Sequence, residues 1–162
     1  MAAKKRLVID ADIAQAAGGI DAVHPTSVSC RDFLESVLKI CHHAIITQEI
    51  KEEWDNHQSI FANRWRYSMM SKRKLHFIKT DTDLDKALRE KINHAGANKK
   101  DLEAMLKDIH LIEAALKTDG TVISGDERVR KLFASASLKS VSEIKNIVWE
   151  IPAIAKKNQL NG

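Results

Sequence analysis

Acidic side chains stand just past the ends of short apolar runs in this chain, at Leu7-Val8-Ile9-Asp10-Ala11-Asp12 and at Val122-Ile123-Ser124-Gly125-Asp126-Glu127. If both runs are strands of one open α/β sheet, their carboxyl ends share the crevice where such sheets bind ligands. A lone Asp at a strand end is more simply a turn residue or helix cap, but two acidic strand ends beside a third acidic cluster favour a site. That cluster is Glu49, Glu52 and Glu53, after the run Ala44-Ile45-Ile46. Acids there suit the dipole of a starting helix. Glu49 and Glu53 nevertheless share a face at i, i+4, where like charges repel unless a cation or water intervenes. Asp108 is a fourth candidate: it lies about 70° off the stripe of Met105, Ile109, Ile112 and Leu116 at 100° per residue, so it borders the core. Asp101, its rival on the same side, is explained by the electrostatics of a first helical turn.

Carboxylates gathered within a few ångströms cannot all stay ionised without a compensating cation. Oxygen-only ligation selects Mg²⁺ or Mn²⁺ over zinc, with waters and a substrate phosphate completing the shell. Phosphoester hydrolysis is the chemistry such a site serves, because the metal acidifies a water, orients it for in-line attack and offsets charge on the phosphorus oxygens.

Positioning these acids takes short buried strands alternating with helices. Continuous apolar runs predict strands over 7–9, 44–46, 75–78, 121–124 and 147–149. Cys30, Phe33, Leu34, Val37, Leu38 and Cys41 follow the spacing of one helical face over 26–41, with Pro25 and Thr26 as start signals. Thr47 can cap a helix through Ile50 and Trp54, and Ile60, Phe61, Trp65 and Met69 mark another. Further helices run through Leu84, Leu88 and Ile92 to Gly96, over 102–116 up to the Asp119-Gly120 turn, and over 127–134. This alternation predicts an α/β fold with a parallel sheet of about five strands and right-handed crossovers. A single domain over 1–152 is expected, with 153–162, ending KKNQLNG, as a weakly ordered tail.

Composition narrows the classes further. Apolar residues are 44% and charged residues 30% of the 162, with only six glycines and two prolines, which excludes collagen-like, linker-rich and disordered chains. No apolar run approaches the roughly 18 residues of a membrane span, so no membrane partner is expected. Cys30 and Cys41 would lie about 16 Å apart along one helix, too far to bridge, and read as the reduced thiols of a cytoplasmic protein. The net charge of +4 leans toward a polyanionic partner.

In order and spacing along nearly the whole chain, LVIDAD (7–12), ITQEIKEEW (46–54), KDIHLIEAAL (107–116) and VISGDERV (122–129) resemble the PIN domain, a family of metal-dependent ribonucleases that includes the VapC-type toxins. The resemblance implies a three-layer α/β/α sandwich with a central parallel sheet, and a four-acid site that maps onto Asp10, Glu53, Asp108 and Asp126. It implies Mg²⁺ or Mn²⁺ on those acids and cleavage of single-stranded RNA. Ser124 matches the family's small hydroxyl residue before the last acid, a partner that orients a metal-binding carboxylate without touching the ion. Two positions after the first acid this chain has Asp12 where the family has a small polar residue, which makes Asp12 a fifth candidate ligand. A homodimer and a protein partner such as an antitoxin stay open, as does a toxin role, since the chain is longer than a compact toxin.

The segment from Arg64, Trp65 and Arg66 through Tyr67 to Lys72, Arg73 and Lys74 interleaves aromatic and basic residues, as single-strand binding requires. An amphipathic helix with Trp65 in the core accounts for the same pattern. Of the seven histidines, His42, His43 and His110 have no Cys or His partners at zinc spacing, and all seven read as structural or surface residues. Two other functions remain open. Asp10-Ala11-Asp12 and Gly125-Asp126 imitate the motifs of a haloacid-dehalogenase-like phosphatase, with Asp10 as nucleophile and Asp12 as general acid; the other is a catalytically silent RNA-binding module of the same fold.

Overall fold

The computed structural model describes residues 5–19, 21–79 and 82–160. Strands β1 (Arg6–Ile9), β2 (His43–Ile46), β3 (Leu75–Phe77), β4 (Thr121–Ile123) and β5 (Val148–Glu150) form one all-parallel sheet in the order β3-β2-β1-β4-β5. Leu7, Val8, Val122 and Ile123 are fully buried, as central strands covered on both faces must be, whereas Phe77 and Val148 on the two edge strands stay exposed.

Helices α1 (Ala11–Ala16), α2 (Pro25–Lys39), α3 (Gln48–His57), α4 (Ile60–Ser71), α5 (Thr82–Asn93), α6 (Lys99–Leu116), α7 (Glu127–Lys139) and α8 (Pro152–Ala155) flank the sheet. One group packs α1, α2, α4 and α8 together, and the other α5, α6 and α7, in an α/β/α sandwich; α3 touches both α1 and α6. Polar caps decide where several helices begin. Thr47, Ser59, Asn98 and Asp126 accept the N–H of Ile50 (3.2 Å), Ala62 (3.0 Å), Asp101 (2.9 Å) and Val129 (3.0 Å). Past α6 the chain turns at Gly120, whose φ of +75° is in the left-handed region that glycine enters at no steric cost.

Two indoles tie the layers through bonds that only a folded core can make. Trp54 donates to the Ile9 carbonyl (3.0 Å) and Trp65 to the Leu34 carbonyl (2.6 Å), and the rings stack with centroids 5.7 Å apart. Trp65 therefore belongs to the core and is not free to stack on a base, which corrects the nucleic-acid role expected for it. Lys74 is corrected for the same reason: it is 7% exposed, and its ammonium donates to the carbonyls of Val37, Leu38 (3.0 Å) and Ile40 at the end of α2. A cation there satisfies carbonyls that the helix leaves unpaired. Helix α2 consequently stops at Lys39, leaving Cys41 exposed beyond it while Cys30 is buried within it; no disulfide joins them.

The C-terminal stretch also departs from expectation. Pro152 and Ala155 are buried, α8 packs on α2, and a wide helical turn continues over Lys156–Leu160, so the chain is ordered against the domain as far as 160; residues 161 and 162 lie outside the described residues. Among the described residues no helix is long and apolar enough to cross a membrane.

Lys74→Met keeps most of the buried stem and removes the three bonds to α2. At about 1.5–3 kcal/mol for charge-assisted bonds left unmade, and roughly 2–4 °C per kcal/mol in a domain of this size, thermal unfolding should show a midpoint lowered by about 3–12 °C. An unchanged midpoint would mean that this cation does not hold α2 in place.

Candidate active site

The strand order makes β1 the turning point of the sheet. From β1 the chain winds outward to β2 and β3, then returns to the opposite side of β1 for β4 and β5, so a crevice opens between the carboxyl ends of β1 and β4. Asp10 follows β1 and Ser124 follows β4. The Asp10 N–H donates to the Ile123 carbonyl at 2.9 Å, which locks the two strand ends together.

A hydroxyl then organises the acids. Ser124 Oγ donates to Asp10 Oδ2 at 2.8 Å and accepts the Asp126 N–H at 3.1 Å. Asp12 Oδ2 lies 3.4 Å from the same hydroxyl. One proton serves the shorter bond to Asp10, and Asp12 Oδ2 takes the Gly125 N–H instead, at 2.9 Å. A Cβ at position 125 would stand 3.1 Å from that oxygen, so glycine there admits the close approach. Asp12 Oδ1 is buried with no partner. Asp126 Oδ1 caps α7 on Val129.

Helices α3 and α6 bring the remaining groups. His110 is 3% exposed, and its Nε2 stands 2.7 Å from Glu53 Oε1, a close ionic contact off the line of the ring N–H; Nδ1 has no partner. The imidazole holds the Glu53 carboxyl below its ordinary range. Burial opposes charging of His110, but the contact with Glu53 and the nearby Glu49 and Asp10 outweigh it, and its pKa is raised. Asp10, Asp12 and Asp108 move the opposite way from Glu53. Burial, then the charge of Asp10, pushes Asp12 up to about 7. Asp108 is pushed up to about 7 by burial and by the charges of Asp10, Asp126 and Glu53, against a lowering by His110. Asp10 is raised by burial and by Glu53, against the bond from Ser124. Asp10, Asp12, Glu53, Asp108 and Asp126 thus act on one another electrostatically around one crevice.

Glu49 and Asp101, weighed as alternatives, are engaged elsewhere. Glu49 Oε1 lies 3.7 Å from Arg89, which forks onto the buried Glu113 at 3.1 and 2.7 Å, and Asp101 pairs with Arg128 at 2.6 Å. With no Cys or His partner at zinc spacing, His110 reads as structural from the sequence; Glu53 lies far from it along the chain, on another helix. No local spacing signals the pair; only the packing of α3 on α6 creates it.

Among the described residues no three His, Cys, Asp or Glu side chains stand close enough together to hold one ion between them. Mg²⁺ commonly takes one or two carboxylates, keeping waters and a substrate phosphate for the rest of its shell. An oxygen-only donor set, a buried carboxylate oxygen without a partner and two acids held near 7 by burial and by neighbouring negative charge fit a divalent cation of that kind.

The basic segment divides. Arg66 is paired with Asp55 (2.8 Å) and Gln58 (3.0 Å) and lies over the Trp54 ring, so it too loses the nucleic-acid role expected for it. Lys72 and Arg73 are exposed but precede β3, at the amino edge of a parallel sheet whose acids lie at the carboxyl edge. Of the five basic residues, Arg64 alone is both exposed and in the half of α4 that starts beside α1, where the Ser59 N–H donates to the Ala14 carbonyl at 2.9 Å.

A carboxyl near 7 in the fold and near 4 in the unfolded chain binds more protons folded than unfolded, so its stabilising contribution is complete below about 4 and is lost as pH rises through about 7. Asp108→Asn removes that loss. In EDTA, its thermal midpoint at pH 8 should exceed the wild-type value, and the fall between pH 5 and pH 8 should be shallower. Parallel profiles for the two proteins would show that neither burial nor the other acids raise the Asp108 carboxyl in the fold. No protein-family model matches the chain, and no curated protein matches it, so its function has to be read from the carboxylates themselves.

Proposed function

We propose that this protein is a metal-dependent endoribonuclease that hydrolyses phosphodiester bonds in single-stranded RNA, with Asp10, Glu53, Asp108 and Asp126 as its working acids and Asp12 as a fifth. The observation that carries this is the convergence of acids from β1, α3, α6 and the β4–α7 turn on the turning point of the sheet, two of them held near 7. The resemblance of the four acidic segments to the PIN domain supports the same reading, including its RNA substrate. One or two of Asp10, Glu53, Asp108 and Asp126, or Asp12 as a fifth, would hold Mg²⁺ or Mn²⁺, with waters and the substrate phosphate in the remaining positions. Such an ion supplies acidification of an attacking water and charge relief on the phosphoryl oxygens.

The chain's own groups do the rest. Ser124 keeps the Asp10 carboxylate turned toward β4 and fixes the Asp126 backbone beside it. His110 holds Glu53 ionised and aimed at the crevice from α3. Asp12 and Asp108 lie near 7 in the metal-free site, so whichever of them does not bind the ion suits general-base work on water. Attack by water, and not by the ribose 2′-hydroxyl, leaves 5′-phosphate and 3′-hydroxyl ends.

End-labelled single-stranded RNA incubated with Mn²⁺, Mg²⁺ or EDTA tests this. Cleavage should need the metal and give 5′-phosphate products, and Asp10→Asn should slow it by about 100–1,000-fold, the several kcal/mol that metal-assisted charge stabilisation is worth. Full activity in EDTA would sink the metal role. Hydrolysis of small phosphomonoesters but not RNA would favour the phosphatase, with Asp10 as nucleophile; tight RNA binding without cleavage would favour the silent module.

Of the basic residues, Arg64 should matter most for binding. Arg64→Ala should reduce the slope of log affinity against log salt by roughly 0.7 for a single-stranded ligand, and Lys72→Ala and Arg73→Ala should leave it unchanged. Fluorescence anisotropy over a salt series reads both, and equal effects at all three positions would restore the whole segment as the contact surface.

A further inference from the structure

A cavity of about 490 Å³ opens beside the acids and takes no part in the chemistry described above. Asp12 and Gly125 form the wall it shares with the acid crevice, and the Asp12 Oδ2 to Gly125 N–H bond of 2.9 Å lies on that boundary. Ile13 and Pro152 give it apolar sides, and Thr26 and Ser29 bring two hydroxyls from the first turns of α2. Among the described residues no Lys or Arg lines it. The first turn of α2 has no side-chain cap, because His24 makes no capping bond, and Pro25 carries no N–H. Its leading amides are left for an external acceptor, at the positive end of a 15-residue helix.

These features describe a ligand of mixed character. The volume far exceeds one phosphate or one ion and falls in the range of small-molecule sites, about 300–1,000 Å³. Apolar walls suit the face of a base, hydroxyls suit a ribose, and an uncapped helix start suits a single negative charge. Without a cationic side chain the cavity does not suit a di- or triphosphate. A nucleotide unit within a chain, with one charge on its phosphodiester, satisfies all of these conditions.

We infer that this cavity is a subsite for the nucleotide next to the cleaved phosphate, seated between α1, the start of α2 and the Ile151-Pro152-Ala153 segment; this rests on the nuclease reading above. Because the Asp12 and Gly125 wall borders the acid crevice, a nucleotide seated here would set the neighbouring phosphodiester beside the acids. The ordered C-terminal segment thereby gains a role, since Pro152 closes one side of the subsite.

Two dinucleoside monophosphates, ApA and UpU, titrated into the isotope-labelled Asp10→Asn protein with Mg²⁺ test the inference by backbone-amide NMR, with RNA cleavage by the wild type measured in parallel. Saturable shifts at Thr26, Ser29, Gly125 and Ala153 are expected. Ser29→Phe, which fills the cavity, should weaken binding about 10-fold or more, a change of about 1.4 kcal/mol, and should raise KM for RNA more than it lowers kcat. Ala153→Leu, from the opposite wall, should act in the same direction and guards against a misfolded Ser29→Phe, with the thermal midpoint of each variant checking the fold. Cleavage by the wild type together with shifts confined elsewhere, or with neither variant affecting binding, overturns the subsite and leaves the nuclease standing. Shifts in the cavity without any cleavage keep a nucleotide site and overturn the nuclease. Absence of both removes both.

Discussion

Crowded negative charge in a half-buried crevice is the constraint from which the rest of this structure follows. Asp10, Asp12 and Asp108 lie where burial and mutual repulsion both disfavour ionisation, and their raised pKa values record that strain. A fold can tolerate such a cluster only if specific partners hold it. Ser124 does so for Asp10, the Gly125 amide for Asp12, and His110 for Glu53. Each partner comes from a different part of the chain than the acid it holds.

The parallel sheet is what makes this meeting possible. Because all five strands run the same way, every acid that follows a strand arrives at the same edge, and the reversal of winding at β1 leaves a gap there instead of a covering helix. Helix α3 completes the arrangement by touching both helical groups, which carries Glu53 across to His110 on α6. Two buried charges serve the architecture alone. Lys74 closes the end of α2, and the Arg89 fork on Glu113 draws Glu49 away from the acids, so a plausible ligand by spacing becomes part of a helix-packing ion pair.

The basic, aromatic-rich segment over 64–74 shows how one pattern can have two physical causes. Interleaved cations and rings describe both a nucleic-acid strip and an amphipathic helix, since each needs apolar bodies alternating with charged tips. Packing separates them: Trp65 faces inward to Leu34, Arg66 is spent on Asp55, and the direction of β3 sends Lys72 and Arg73 to the wrong edge of the sheet.

The sequence by itself determined the strands, most of the helices and the parallel α/β class, because continuous apolar runs, capping residues and helical spacing are local properties that each segment expresses independently of the others. It also marked Asp10, Ser124 and Asp126, since a residue just past a buried strand has only the crevice edge to occupy. Tertiary structure alone decided the rest. The short helix α1, with too few apolar positions to show a period, and the packing of α8 on α2 both depend on surfaces made elsewhere. The engagement of Glu49 by Arg89, the contact of His110 with Glu53 and the cavity beside Asp12 arise from segments tens of residues apart. Distances between such groups are set by how helices cross the sheet, and no spacing along the chain encodes that.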